Sequence, residues 1–241
     1  MRICLVPGCL AETFYPQAIR DSRILLEASG AEVFVPPQVT CCGQPAWSNG
    51  HPAVGRELAT ALLDASAAGD YIVLPSGSCA AMLRVFTPPL LETDSPRRQI
   101  SAKVHELIEF LDTIVHYRPP TNSLAGRRIV VHHGCHARRE LAAVGTVEHL
   151  LEAAGATVLD WKLAAECCGF GGSFAVNLPE VSVAMADRKL DALPQCDCVV
   201  TPDPGCLMQL AGRAERRGLG LTIRHAASLL REAEQMRQNE H

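Results

Sequence analysis

The chain lacks any stretch approaching the roughly 20 uninterrupted apolar residues that a membrane helix requires, so it is expected not to be transmembrane. Its amino terminus, MRICLVPGCLAE, lacks the architecture of a signal peptide, which predicts a soluble, cytoplasmic protein. Basic charge is scarce as well: Lys plus Arg number 22 against 26 Asp plus Glu, a formal net charge of -4. No general positive field exists to hold a nucleic-acid backbone, so no nucleic-acid partner is expected. Neither a G-x-G-x-x-G fingerprint nor a P-loop occurs, and dinucleotide or nucleotide triphosphate binding has no motif to carry it. Disorder is excluded too, because 48% of the 241 residues are apolar and only 20% charged, enough for one large domain or two small ones.

What the chain has in excess is cysteine. Eleven occur in a protein too long to need disulfide staples and expected in a reducing compartment. Their spacing reveals an internal repeat. Cys9, Cys41, Cys42 and Cys79 recur as Cys135, Cys167, Cys168 and Cys206, displaced by 126, 126, 126 and 127 positions. Both halves read C-x31-C-C-G, and the last cysteine follows Gly43 after 35 intervening residues and Gly169 after 36. The text between agrees, since Leu26-Glu27-Ala28-Ser29-Gly30-Ala31 matches Leu151-Glu152-Ala153-Ala154-Gly155-Ala156. Each half also ends in a histidine expected to lead an apolar helix, His105 and His225.

Each half alternates short β-rich runs with longer helical patterns, which predicts an α/β fold of two pseudo-symmetric repeats, each a small parallel sheet with crossover helices. Strands are expected at Ile3 to Val6, Glu32 to Val35 and Tyr71 to Leu74, then Arg128 to His132, Thr157 to Trp161 and Cys198 to Thr201. Helices are expected at Gln17 to Ser29, Val54 to Ala67, Ala80 to Leu91 and Val104 to His116. Their counterparts are Arg138 to Ala154, Pro179 to Leu193, Leu207 to Arg217 and His225 to Arg237. Tyr117 to Gly126 reads as the linker, dividing domains 1–121 and 122–241.

On this scaffold the eight repeated cysteines fall beyond the carboxyl ends of strands, where open parallel sheets gather ligands. Four thiols from three loops can then converge in each half. A free cysteine is otherwise a small buried hydrophobe, and that reading is taken for Cys4, Cys196 and Cys198. Four thiolates suit zinc and iron–sulfur clusters alike. Structural zinc uses C-x2–4-C knuckles, whereas Cys41-Cys42 and Cys167-Cys168 are consecutive with distant partners, which favours a larger multi-iron group.

The phrases Phe14-Tyr15-Pro16, Thr40-Cys41-Cys42-Gly43-Gln44-Pro45-Ala46 and Pro75-Ser76-Gly77-Ser78-Cys79-Ala80-Ala81-Met82 carry a resemblance, as do Glu166-Cys167-Cys168-Gly169-Phe170-Gly171-Gly172 and Gly205-Cys206-Leu207-Met208. The chain resembles the cysteine-rich (CCG) domain family of heterodisulfide reductase B subunits and glycolate oxidase iron–sulfur subunits, and more narrowly its lactate-utilisation (LutA/LldE/YkgE) branch. The resemblance implies a non-catalytic or co-catalytic subunit of an L-lactate-oxidising oxidoreductase, working with a ferredoxin-like iron–sulfur subunit and a smaller companion. It would be cytoplasmic, or peripheral to the inner membrane through those partners.

The resemblance implies one or two [4Fe–4S]-type clusters, held by Cys9, Cys41, Cys42 and Cys79 and by Cys135, Cys167, Cys168 and Cys206, with zinc at one site as the variant. The wider family closes its motif with C-x-x-C, but Ser76 and Asp203 stand three residues before the last cysteines. Each site therefore has four cysteines rather than five, and the disulfide-cleaving chemistry of heterodisulfide reductases is not carried over. The alternatives are a heterodisulfide-reductase-type or glycolate-oxidase-type redox subunit, or a zinc-binding, non-redox assembly subunit.

Around the second site, His132-His133-Gly134-Cys135-His136-Ala137-Arg138-Arg139 concentrates imidazole and guanidinium groups that could bind a carboxylate or tune a cluster. The plainer reading is a set of loop polars, with His132 a satisfied buried histidine near the sheet's end. His136 and Arg138, with Ser76 and Asp203, are the residues expected beside the clusters. His51 and Trp47 are read as capping and packing groups near the first site, and Arg213, Arg216 and Arg217 as a solvated helix face.

Overall fold

Short runs of branched apolar residues pair in parallel in each half of the computed structural model, which describes residues 1–37 and 41–238. Thr40 lies outside the described residues. The first half runs β1 (Arg2–Leu5), α1 (Cys9–Phe14), α2 (Pro16–Ala28), β2 (Glu32–Phe34), α3 (Gln44–Ser48), α4 (Pro52–Ser66) and β3 (Tyr71–Leu74). It continues through α5 (Gly77–Ala81), α6 (Arg97–Ser101), β4 (Val104–Glu106) and α7 (Leu107–Thr113). The second half runs β5 (Arg128–Val131), α8 (Cys135–Arg139), α9 (Thr146–Ala153), β6 (Thr157–Val158), α10 (Ser173–Asn177) and α11 (Pro179–Asp191). It ends with β7 (Cys198–Thr201), α12 (Pro204–Arg216), β8 (Ile223–His225) and α13 (Ala226–Gln238).

The two four-stranded sheets have the orders β2-β1-β3-β4 and β6-β5-β7-β8, with every neighbouring pair parallel. The central strands read RICL, YIVL, RIVV and CVVT, the near-continuous apolar pattern of strands covered on both faces. In each sheet the order reverses between the two central strands. The loops leaving β1 and β3, and those leaving β5 and β7, therefore diverge and leave a crevice.

The halves share a core. One apolar cluster joins Ile3, Leu5, Leu25, Phe110 and Leu111 with Ile129, Val131, Leu150 and Leu230, and α13 packs on α2 while α7 packs on α9. Cys4 and Cys198 are fully buried in their strands, and Cys196 is partly buried against a smaller cluster, as packing residues should be.

Several expected elements are differently bounded. His105 lies inside β4 and His225 closes β8, so neither leads a helix; Leu107 and Ala226 do. The expected helix at Ala80 to Leu91 is α5 followed by a π-turn at Met82–Phe86 and a 3-10 turn at Pro88–Leu90, because Pro88 and Pro89 supply no amide hydrogen to prolong an α-helix. The span Arg138 to Ala154 is two helices parted by a break at which Ala142 takes φ 53° and Gly145 φ 89°. The strand expected at Thr157 to Trp161 contracts to β6. Cys79 and Cys206 lie inside the first turns of α5 and α12, since Ser76 and Asp203 cap those helices three residues earlier than expected.

Candidate metal centre

Each CCG triplet needs its glycine. Gly43 and Gly169 have φ of 88° and 89°, left-handed values that a side chain disfavours. A Cβ on Gly43 would stand 2.4 Å from the Gly55 carbonyl oxygen, and one on Gly169 2.5 Å from that of Ser182. The turn thus packs each triplet's glycine directly against α4 or α11. Cys9 and Cys135 open α1 and α8, and Cys79 and Cys206 come from the first turns of α5 and α12.

In this way the fold assembles two thiol quartets. Cys42 Sγ lies 3.3 Å from Cys79 Sγ, and Cys168 Sγ lies 3.4 Å from Cys206 Sγ. Cys41 bridges Cys42 and Cys9, and Cys167 bridges Cys135 and Cys168. All eight cysteines line one cavity of about 360 Å³ between the halves; Cys4, Cys196 and Cys198 do not.

The quartets have the same electrostatic pattern. Hydrogen bonds from Cys42 and Cys9 hold the Cys41 thiol far below its ordinary value, helped by the Gly43 backbone. Hydrogen bonds from Cys135 and Cys168 do the same for Cys167, whose sulfur accepts from Gly169 N–H at 3.4 Å. The neighbours that give those bonds, Cys9, Cys42, Cys135 and Cys168, are pushed upward, each chiefly by its bond to the acidic thiol and then by burial or a second thiol. Each quartet thus centres on the thiol whose neighbours most favour its anionic form. The soft donor set suits a metal cluster, whose binding would displace the remaining protons.

Ser76 and Asp203, the positions that depart from C-x-x-C, face each other across the halves. Asp203 accepts from Gly205 N–H at 3.0 Å within its own helix cap, from Ser78 N–H at 3.0 Å and from the Ser76 hydroxyl at 3.3 Å. His136 lines the cavity, 3.2 Å from Glu140 through Nδ1 and 3.4 Å from the Gln44 amide through Nε2. Arg138 contributes no atom to the cavity wall, and its Nε is buried without a partner.

His133 pairs with Glu148 at 2.7 Å. Trp47 stacks on Phe86 as a packing group, and His51 precedes α4 without a side-chain cap bond. Arg216 is exposed, whereas Arg213 grips Asp187 at 2.7 and 2.8 Å and Arg217 reaches Asp187 and Asp191, so these two tie α12 to α11 rather than forming a solvated face.

Sequence reasoning missed a buried polar group behind the second quartet. Lys189, 1% exposed, donates to the Leu163 carbonyl and to the Glu166 carbonyl at 2.9 Å and lies 4.1 Å over the Trp161 ring. Burial lowers its ammonium to about 8, against the pull of Cys168 and Cys206. The first half has Leu62 at the same place, ten residues after the proline that opens the helix. The only signal in the sequence was a lysine where the repeat has a core leucine.

A duplicated parallel α/β scaffold presenting two thiol quartets to one crevice defines a cysteine-rich protein with a candidate metal centre. The model of the cysteine-rich domain family, CCG, matches residues 3–84 and 129–211. The chain is 34% identical over 246 residues to Lactate utilization protein A of Halalkalibacterium halodurans, covering 99% of this chain and 100% of that protein. It is 35% identical over 237 residues to Lactate utilization protein A of Geobacillus thermodenitrificans, covering 95% and 98%. The chain belongs to the CCG cysteine-rich domain family and, within it, to the Lactate utilization protein A group. A crystal structure of a hypothetical protein from Helicobacter pylori shares the fold, with a TM-score of 0.62 at 7% identity over 96% of this chain and 48% of that one. No helix among the described residues is long and apolar enough to cross a membrane.

Proposed function

We propose that the chain is an iron–sulfur electron-transfer subunit of a multi-protein system that oxidises L-lactate to pyruvate. The observation that carries this reading is the convergence of all eight repeated cysteines on one cavity, in a chain whose relatives are named Lactate utilization protein A. Cys9, Cys41, Cys42 and Cys79 would hold one [4Fe–4S]-type cluster, and Cys135, Cys167, Cys168 and Cys206 the other. Such a cluster, when bound, supplies a one-electron couple whose potential follows its hydrogen bonds, burial and nearby charge.

The chain's own residues set those conditions. Backbone groups of Gly43 and Gln44, and of Gly169 and Phe170, act on the central thiols in favour of their anionic forms. Lys189 adds a buried cation beside Cys168 and Cys206 where the first half has Leu62, so the second site takes an electron more readily than the first. Hydride removal belongs to another subunit, and the partners of this reading are a ferredoxin-like iron–sulfur subunit and a smaller companion.

A second reading, a zinc-bearing assembly subunit, draws support from the sulfur spacing. The 3.3 and 3.4 Å separations lie near the edge of a tetrahedron around one zinc, about 3.8 Å for Zn–S bonds of about 2.3 Å. Metal analysis of anaerobically purified protein separates the two. The expected result is brown protein with iron and acid-labile sulfide, and loss of the second site's iron in Cys168→Ser. Colourless wild-type protein with stoichiometric zinc would transfer the assignment to zinc.

A further inference from the structure

Val6 and His132 occupy the same place in the two repeats, each donating its backbone N–H to the neighbouring central strand, Val6 to Val73 at 2.9 Å and His132 to Val200 at 2.8 Å. Their side chains differ in kind. The imidazole of His132 is fully buried, and among the described residues neither ring nitrogen finds a partner with full hydrogen-bond geometry. Buried polar atoms are almost always satisfied, so a buried ring with two bare nitrogens points to a group that belongs beside it.

The neighbours identify that group. One ring nitrogen of His132 and the sulfurs of Cys168 and Cys206 all lie within 4.8 Å of one another, so the imidazole approaches the deep end of the second quartet. Trp161 meets the ring edge-on, with centroids 6.1 Å apart, and fixes its tilt. The Ala164 backbone lies beside the ring, and a metal-bound histidine commonly turns its second nitrogen toward a backbone carbonyl.

We infer that His132 binds the metal group of the second site through a ring nitrogen, so that this site has five candidate donors, four thiols and an imidazole, of which a four-iron cubane would use four, where the first site has four thiols alone. The inference rests on the reading of the quartets as metal ligands and makes the two sites chemically distinct. Soft thiolates with one imidazole also widen the range of metals that the second site accepts.

Protein labelled with 15N-histidine, prepared anaerobically and analysed for iron, sulfide and zinc, tests the reading and the inference separately. The informative variant is His132→Val, which installs the residue that the fold already accepts at position 6. Pulsed EPR of the wild-type paramagnetic centre is expected to show a directly bound histidine nitrogen, and His132→Val to lose that coupling while keeping the first site's iron. Full iron without a bound nitrogen in the wild type, or a coupling that survives in His132→Val, overturns the inference and leaves the cluster reading intact. Absence of iron overturns the cluster reading instead. Cobalt(II) added to the metal-free protein then decides the inference: bands that differ between wild type and His132→Val support it, and identical bands overturn it.

Discussion

A single carboxylate, Asp203, serves both halves: one oxygen caps α12 through Gly205 and the other holds Ser78 and Ser76 of the first repeat. Where the wider family's motif places another thiol, this chain has a latch between the halves. Asp203→Ala removes a helix cap, about 1 kcal/mol, and a charge-assisted cross-half bond, about 1.5–3 kcal/mol. A loss of about 2.5–4 kcal/mol is expected in denaturant unfolding. Because the Ser76 hydroxyl shares that carboxylate, Ser76→Ala and Asp203→Ala should couple by more than about 0.5 kcal/mol in a double-mutant cycle. Strict additivity would mean that the Ser76–Asp203 bond carries no energy. At this scale the cysteine spacing alone located the quartets. His132 was read as a satisfied buried histidine and Lys189 was not singled out, because what sets them apart is burial behind the second quartet, which only the folded packing creates.

Among the elements, the two edge strands β4 and β8 escaped the reading for a local reason. Each has three residues and passes straight into a helix with no glycine or proline between, so the helical period absorbs it. Glu106 marks one such junction. It ends β4 and caps α7 in a capping box, its Oε2 accepting from Ile108 N–H at 2.8 Å and Glu109 N–H at 3.0 Å. Complete burial nevertheless pushes its carboxyl up from 4.5 to about 8, outweighing the cap bonds. An acid raised on folding binds more protons folded than unfolded, so its contribution is full below pH 4.5 and fades as pH rises through about 8. Glu106→Gln keeps an acceptor for the cap and removes the titration. Its melting temperature should fall less than the wild type's between pH 5 and pH 8, and parallel curves would refute the assignment.

Across the whole molecule, the repeat and three of the four strands of each half were legible, but the way the repeats join was not, since two similar sequences do not reveal which of their faces meet. The segment from Tyr117 to Gly126, expected as a linker, separates two sheets in sequence, yet the largest core runs through both and takes in Tyr117 and Leu124. Leu25 and Leu26 of α2 share that core with Leu229, Leu230 and Ala233 of α13, and Phe110 and Leu111 of α7 share it with Leu150 and Leu151 of α9. His225 adds a polar tie: its Nδ1 accepts from Ala227 N–H, so Nε2 carries the proton, and it lies 3.2 Å from the carbonyls of both Pro75 and Pro202, one from each repeat. A division at 121/122 would therefore expose an apolar face on each piece rather than release two finished domains. Fragments 1–121 and 122–241 made separately should show no cooperative thermal transition, and mixing or co-expressing them should restore one that matches the intact chain. A sharp transition in fragment 1–121 alone would show that the first repeat is an autonomous domain. The loss of folding should take the quartets with it, because one cavity between the halves is lined by the thiols of both.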